Sequence, residues 1–312
     1  MNAHIPTMFM MIIAASGTLA LSVGWVARAR DEDGLQLWTV ALVLQTLVFS
    51  LFSLRNQIPD FFSILVANTL LSLSYSLLFA AIARFQQRHV SRLLLWGPPI
   101  VLVVALKLLM NEIGARIIAA GMVFITQYLV IFFSLLNGKY RVSGRGKYLL
   151  LVGFSIMISV MFIRTMSVIF ALDSIASMLS STPIQIVTYA MAFVTLILIS
   201  IGFVLMVKER ADERIRFVAM TDRLTGAWNR IRLEETAQQE IARFERYGRP
   251  VSLIMVDLDH FKQINDRFGH ATGDLVLKKF CAVARGCIRN TDILGRWGGG
   301  GVSDPSARQR FC

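Results

Sequence analysis

The chain has 312 residues, 55% of them hydrophobic and 17% charged, with a formal net charge of +12. That balance is too apolar for an ordinary soluble protein, and the length leaves room for two domains. The basic excess does not mark a nucleic-acid partner, and none is expected, because much of it lies beside apolar runs, where Lys and Arg set topology and meet anionic lipid.

Seven apolar runs fill the first two thirds, over 8–26, 35–54, 61–85, 93–110, 117–136, 148–170 and 184–207. Each has roughly the 18 to 25 residues a helix needs to cross a bilayer. The first has no Lys or Arg on its amino-terminal side and six more follow, so it reads as an uncleaved span rather than a signal peptide. Arg28 and Arg30, then Arg84, Arg88 and Arg92, then Lys139, Arg141, Arg145 and Lys147 crowd the first, third and fifth loops. The second holds Arg55, the fourth Lys107 and Arg116, and the sixth neither Lys nor Arg, while Lys208, Arg210, Arg214 and Arg216 follow the last run. Positive loops stay in the cytosol, which predicts an outside amino terminus and a cytosolic carboxyl-terminal segment. Residues 1–207 are thus expected to form a seven-helix sensor or anchor in the lipid bilayer.

Polar side chains within spans are candidate sites because lipid penalises them. Gln45, Asn68 and Gln127 read first as interhelical hydrogen-bonding groups. Arg164, about six residues from the end of its run, is expected to snorkel to the outer interface. The last run has no lysine, which argues against a retinal Schiff base, and Gly97-Pro98-Pro99 interrupts the fourth without a counterpart elsewhere, unlike a repeat-built transporter.

After Val207 the composition turns charged, and 208–220 should continue the last span as a helical signalling linker, either a plain connector or a short coiled coil that pairs two copies into a homodimer. Thr221-Asp222-Arg223-Leu224-Thr225-Gly226 breaks it, and Trp228-Asn229-Arg230 opens a helix with Leu233, Ala237, Ile241 and Phe244 on one face. The apolar run 251–256 reads as a buried strand. Gly269, His270 and Gly273 read as turn residues, with Asp274 capping a helix faced by Leu277, Phe280 and Cys281. A further strand is expected over 292–297. The three cysteines, Cys281, Cys287 and Cys312, fall in the cytosolic segment without Cys-x-x-Cys spacing, so neither disulfides nor zinc are expected.

The chemistry concentrates in DLDHFKQINDRFGHATGD, residues 257–274. A carboxylate such as Asp257 at the end of a buried strand can hold Mg²⁺ against a triphosphate, and Lys262 offers a point charge to phosphate. Asn265 presents donor and acceptor, and Asp274 can accept from the paired N–H groups of guanine. Taken singly, Asp259, Asn265, Asp266 and His270 also serve as ordinary helix-start or turn residues.

The combination D-x-D-x-F-K-x-x-N-D-x-x-G-H-x-x-G-D, preceded by T-D-x-L-T-G-x-x-N-R, resembles the GGDEF domain of diguanylate cyclases over about 220–299. The resemblance implies an α/β fold similar to nucleotidyl cyclase and polymerase palm domains. It implies that two GTP molecules, one on each protomer of a dimer, condense to cyclic di-GMP and pyrophosphate. It also implies that Asp257 and the Leu258 carbonyl hold Mg²⁺, that Lys262 meets phosphate, and that Asn265 and Asp274 read guanine. Arg289 and Asp292 stand where the family carries its R-x-x-D product-inhibition site.

The family signature is Gly-Gly-Asp/Glu-Glu-Phe, and here Gly300, Gly301 and Val302 follow the glycine pair. Phosphoryl transfer depends on metal-held charge, so loss of the acidic pair predicts an inactive chain. The domain at 221–312 is expected to be truncated at its carboxyl end, lacking the family's second half. One inserted G turns GAG GAG TTY into GGA GGA GTT, which reads Gly-Gly-Val, so we hypothesise a frameshift or sequencing error. Resequencing that returns the same frame, with nothing downstream encoding the missing half, removes that idea. The other readings are a degenerate cyclic di-GMP receptor acting through Arg289 and Asp292, and a membrane protein with a vestigial tail.

Overall fold

The computed structural model describes residues 5–27, 33–137, 144–170, 182–248, 250–289, 291–298 and 310–311. The chain divides into two compact units, Met1–Arg210 and Ala211–Cys312.

The first unit is helical. Its elements are α1 (Ile5–Ala27), α2 (Leu35–Ser53), a π-helical turn (Phe61–Val66) leading into α3 (Ala67–Phe85), α4 (Arg92–Leu108), α5 (Ile113–Leu136), α6 (Arg145–Ile169) and most of α7 (Pro183–Met220). Six helical stretches are long and apolar enough to cross a membrane: Ile5–Ala27, Leu35–Ser53, Phe61–Phe85, Ile113–Leu136, Arg145–Ile169 and Pro183–Met220. The remaining expected span, 93–110, is the 17-residue α4, with Pro98 and Pro99 inside it. At 1.5 Å per residue α4 covers about 25 Å, less than a hydrocarbon core of about 30 Å.

Aromatic side chains fill the middle of this unit. Trp38 stacks on Phe203 with ring centroids 4.2 Å apart, and Phe9 meets Tyr189 edge-on at 4.8 Å. The backbones of α6 and α7 approach closely, because a Cβ on Gly146 would lie 2.6 Å from the Gly202 carbonyl oxygen and from the Met206 nitrogen. Small residues allow such crossings where no hydrophobic force drives helices together in lipid. Glu209 on α7 accepts from the Arg145 N–H at 2.8 Å and the Gly146 N–H at 3.4 Å, which caps the start of α6. The next residue, Arg210, is buried over the Phe85 ring at 3.7 Å, donates to the Phe85 carbonyl, and lies 3.8 Å from the Asp33 carboxylate.

Two of the three amides, Gln127 and Gln45, bond between helices as the sequence suggested, and Asn68 does not. Gln127 on α5 accepts from the Ser72 hydroxyl at 3.0 Å and donates to the Ser72 carbonyl at 2.8 Å and the Ser76 hydroxyl at 3.1 Å. Gln45 donates to the Ser74 hydroxyl at 3.4 Å, whereas Asn68 donates within its own helix, to the Ile64 carbonyl at 2.7 Å.

The second unit holds the end of α7, then β1 (Trp228–Asn229), α8 (Arg230–Tyr247), β2 (Val256–Asp257), α9 (Phe261–Phe268), α10 (His270–Cys287), β3 (Gly295–Arg296) and β4 (Arg310–Phe311). The sheet order is β1-β3-β4-β2, with β1 parallel to β3 and β4 antiparallel to both β3 and β2. This small mixed sheet with flanking helices is compatible with the expected α/β class. The Asn229 side chain caps α8 by accepting from the Arg232 N–H at 3.2 Å, and Gly248 ends it in the left-handed conformation that glycine adopts without strain.

Three local expectations change. The run 251–256 is not a buried strand: only Val256 pairs, and Leu253 and Ile254 are 71% and 72% exposed. An apolar run becomes a buried strand only when other elements cover both faces, and here its side chains stand in the open. On α8 only Leu233 is buried, while Ile241 and Phe244 are exposed. Asp274 does not cap a helix, because α10 already begins at His270, directly after Gly269 at φ 82°.

Candidate functional site

The turn 222–227 is the hub of the second unit. Asp222 Oδ1 accepts from the Thr225 N–H at 2.9 Å and the Thr225 hydroxyl at 2.8 Å, so the carboxylate closes a local turn. The guanidinium of Arg296 on β3 lies 3.3 Å from each Asp222 oxygen, with the Arg296 side chain 8% exposed. Burial pushes the Asp222 carboxyl up, but the Thr225 hydrogen bonds and the Arg296 charge outweigh it and hold the group below its ordinary value. Arg285 on α10 donates to the Gly226 carbonyl at 2.6 Å. Beneath the turn, Ala227, Leu277 and Cys281 form the buried cluster, and burial raises the Cys281 thiol against the opposing Thr225 hydrogen bond. None of this polar clasp was singled out from the sequence. Thr221-Asp222-Arg223-Leu224-Thr225-Gly226 signalled a turn, but nothing in the spacing pointed to a partner 74 positions away.

From this hub the predicted site residues fall into three places. Asp257 ends β2, exposed, with one carboxylate oxygen accepting from the Leu258 N–H at 3.1 Å. The Leu258 carbonyl accepts from the Phe261 N–H at 3.3 Å as α9 begins, which leaves one lone pair for a cation. Lys262 and Asn265 follow on α9 at the three-residue spacing that shares a helix face, Lys262 exposed and Asn265 half-buried.

The second place is the corner between α9 and α10. Gly269 donates to the Asn265 carbonyl at 2.8 Å, and the side-chain oxygen of Asn265 comes so close to Gly273 that a Cβ there would overlap it. Glycine at 273 therefore lets the amide of α9 reach the backbone immediately before Asp274, whose carboxylate is exposed. The Asn265 amide thus lies against the residue that precedes Asp274 in the chain. The third place is the turn after α10. The Arg289 N–H donates to an Asp292 carboxylate oxygen at 3.0 Å and the Asp292 N–H returns to the Arg289 carbonyl at 2.9 Å, with both side chains exposed.

No group of three or more His, Cys, Asp or Glu side chains could hold a metal among the described residues. Asp257 and the Leu258 carbonyl fit one Mg²⁺ that arrives with a triphosphate, since Mg²⁺ keeps waters and takes one or two carboxylates plus substrate oxygens. They do not by themselves fit a two-metal arrangement. Gly300 and Gly301 lie outside the described residues, as does Asn290 between Arg289 and Asp292. β3 ends directly before Trp297, and the Arg230 guanidinium sits over the Trp297 ring at 4.8 Å.

Residues 219–301 match the family described as diguanylate cyclase, GGDEF domain. The diguanylate cyclase DgcP of Pseudomonas aeruginosa is 48% identical over 88 residues, 28% of this chain and 13% of that protein. DgcS of Shewanella oneidensis is 46% identical over 87 residues, 28% of this chain and 29% of that protein. DosC of Escherichia coli is 37% identical over 94 residues, 30% of this chain and 20% of that protein. The matched segment spans less than a third of each of these relatives. With six helices apolar enough for a membrane ahead of it, residues 219–301 are a GGDEF domain of the diguanylate cyclase family.

Proposed function

We propose that the chain is a bacterial inner-membrane signalling protein with a multi-helix membrane unit and a cytosolic GGDEF domain. The domain binds GTP but does not by itself convert it to cyclic di-GMP. The observation that carries the nucleotide reading is the α9–α10 corner, where Asn265 reaches Gly273 beside Asp274. There the amide and carboxylate take the guanine edge, Lys262 meets the phosphates, and Asp257 with the Leu258 carbonyl receives Mg²⁺. When bound, Mg²⁺ offsets the charge of the triphosphate. The inactive half of the proposal rests on Gly300 and Gly301, which offer no carboxylate where the family places its acidic pair.

The test uses the full chain in lipid nanodiscs with Mg²⁺. Fluorescent GTP should bind saturably, and Asn265→Ala and Asp274→Ala should each weaken it by about tenfold, the value of one or two charge-assisted hydrogen bonds. Pyrophosphate release from GTP should stay at background. GTP binding unaltered in both variants would remove the site assignment, and cyclic di-GMP formation would remove the inactivity.

A second reading is favoured by the closed Arg289–Asp292 turn, which holds an exposed guanidinium and carboxylate together. In it the domain serves as a cyclic di-GMP receptor. Calorimetry should then detect cyclic di-GMP and lose it in Arg289→Ala, and equal binding by both chains rejects it. A homodimer through the linker helix belongs to either reading, with chemical crosslinking across 208–220 as its measurement.

A further inference from the structure

Within the membrane unit, a cavity of about 290 Å³ lies among the helices. Its size falls near the lower end of small-molecule pockets. Among the described residues three guanidinium side chains, Arg55, Arg116 and Arg164, line it against a single carboxylate, Asp60. The remaining wall mixes aliphatic and polar side chains with aromatic and sulfur-bearing ones, Phe52, Phe124, Met157 and Met161 among the latter.

Arg164, expected to reach for the outer interface, shares the cavity wall with Arg55 and Asp60 of the loop between α2 and α3. It lines the cavity, and its Nε is buried without a hydrogen-bond acceptor among the described residues while its guanidinium carbon lies 5.9 Å from the Tyr189 ring centroid. Tyr189 is 4% exposed, also lines the cavity, and its hydroxyl has no hydrogen-bond partner among the described residues. A buried phenol normally finds one. Intramembrane arginines are expensive and pair with other groups or mark ligand paths. The π-helical turn Phe61–Val66 forms part of the same wall through Ile64, and such turns concentrate at functional sites.

We propose that this cavity binds a small amphipathic monoacid as the ligand of the membrane unit. Its carboxylate would sit between Arg164, Arg116 and Arg55 and accept from the Tyr189 hydroxyl, and its apolar body would lie against the Phe and Met side chains. The excess of positive charge on the wall selects an anion over a neutral ligand and repels a cation. The volume excludes a two-chain phospholipid and admits a medium-chain or aryl-alkyl acid. Carboxylate and guanidinium match in a two-point geometry, which gives the head its grip. The inference stands on the membrane unit alone and holds whether or not the GGDEF domain turns nucleotide over.

The experiment titrates the full chain in phosphatidylcholine nanodiscs by calorimetry, with decanoate, 4-phenylbutyrate and the neutral 1-decanol as probes. At least one acid should bind saturably at one site per chain, and 1-decanol should bind at least about tenfold more weakly than decanoate. Tighter decanoate indicates an acid drawn from the bilayer, and tighter 4-phenylbutyrate an aromatic acid from the aqueous side; either supports the proposal. Arg164→Gln should weaken the better acid by about tenfold or more, Arg164→Lys by less, and Tyr189→Phe by a few-fold. Saturation by neither acid overturns the proposal, as does 1-decanol matching decanoate on the unaltered chain. That second comparison needs no variant and therefore decides the matter even if Arg164→Gln fails to fold.

Discussion

The membrane helices share a core that runs from Ile5 to Val207, whereas the segment after Arg210 gathers Ala227, Leu277 and Cys281 into a small cluster under one turn. The first unit is held by shape, with stacked rings and backbones close enough that Gly146 has no room for a methyl group. The second is held by a few polar clasps over that cluster, Asp222 to Arg296 and Arg285 to the Gly226 carbonyl, while Leu253, Ile254 and Phe244 remain exposed. The difference teaches where perturbation will be felt. The candidate nucleotide residues sit on the thinly packed unit, so binding there and stability there are closely tied.

Leu277→Ala is the largest expected break in this contrast. Removing a fully buried leucine should cost about 2–5 kcal/mol, with hydrogen exchange rising across α8 to α10 and unchanged in α1 to α6. Faster exchange in both regions would show that they do not fold as separate units. Gly146→Val attacks the opposite side, and forcing α6 from α7 should cost about 1–3 kcal/mol, lowering the thermal midpoint of the detergent-solubilised helices without touching exchange in α10.

Arg296→Ala sharpens the comparison through pH. The Asp222 carboxyl is held below its ordinary 3.8 in the folded chain. It therefore contributes stability above that value, and the contribution is lost as pH falls through the lower folded value. Removing the guanidinium should cost about 1 kcal/mol at neutral pH, the scale of a partly exposed pair, and should flatten the acid limb below pH 3.8. An acid limb as steep as that of the parent chain would mean that Arg296 does not set the Asp222 ionisation. The smallest effect runs the other way. Gly286 lies within α10 with open space where an added methyl group would sit, so Gly286→Ala should stabilise the second unit by about 0.5–1 kcal/mol. Loss of stability there would reveal a contact that the structure does not contain.

The helical runs were legible because lipid demands long, unbroken apolar segments, and length and composition alone delimit them. Gln127 was legible for the same reason: an amide in lipid must find a partner, and Ser72 and Ser76 supply it. The strands were harder. Trp228 and Asn229 form a two-residue strand parallel to Gly295 and Arg296, and pairing across so much chain leaves no local pattern. The run 251–256 has strand composition, but composition does not say whether anything covers it. At the candidate site, spacing placed Lys262 and Asn265 on one helix face, yet the approach of Asn265 to Gly273 depends on the sharp corner at Gly269.

The three hydrogen bonds that Gln127 makes to Ser72 and Ser76 act as a ratchet stop between α3 and α5. Sliding one helix past the other by a single turn, about 5.4 Å, would strand donors and acceptors where no water can replace them. These two helices therefore travel together, and any displacement within the membrane unit must be taken up at other helix seams. A Gln127→Leu chain loses that stop while keeping its bulk, and a disulfide-trapping series along α3 and α5 should then find registers that the parent chain never visits.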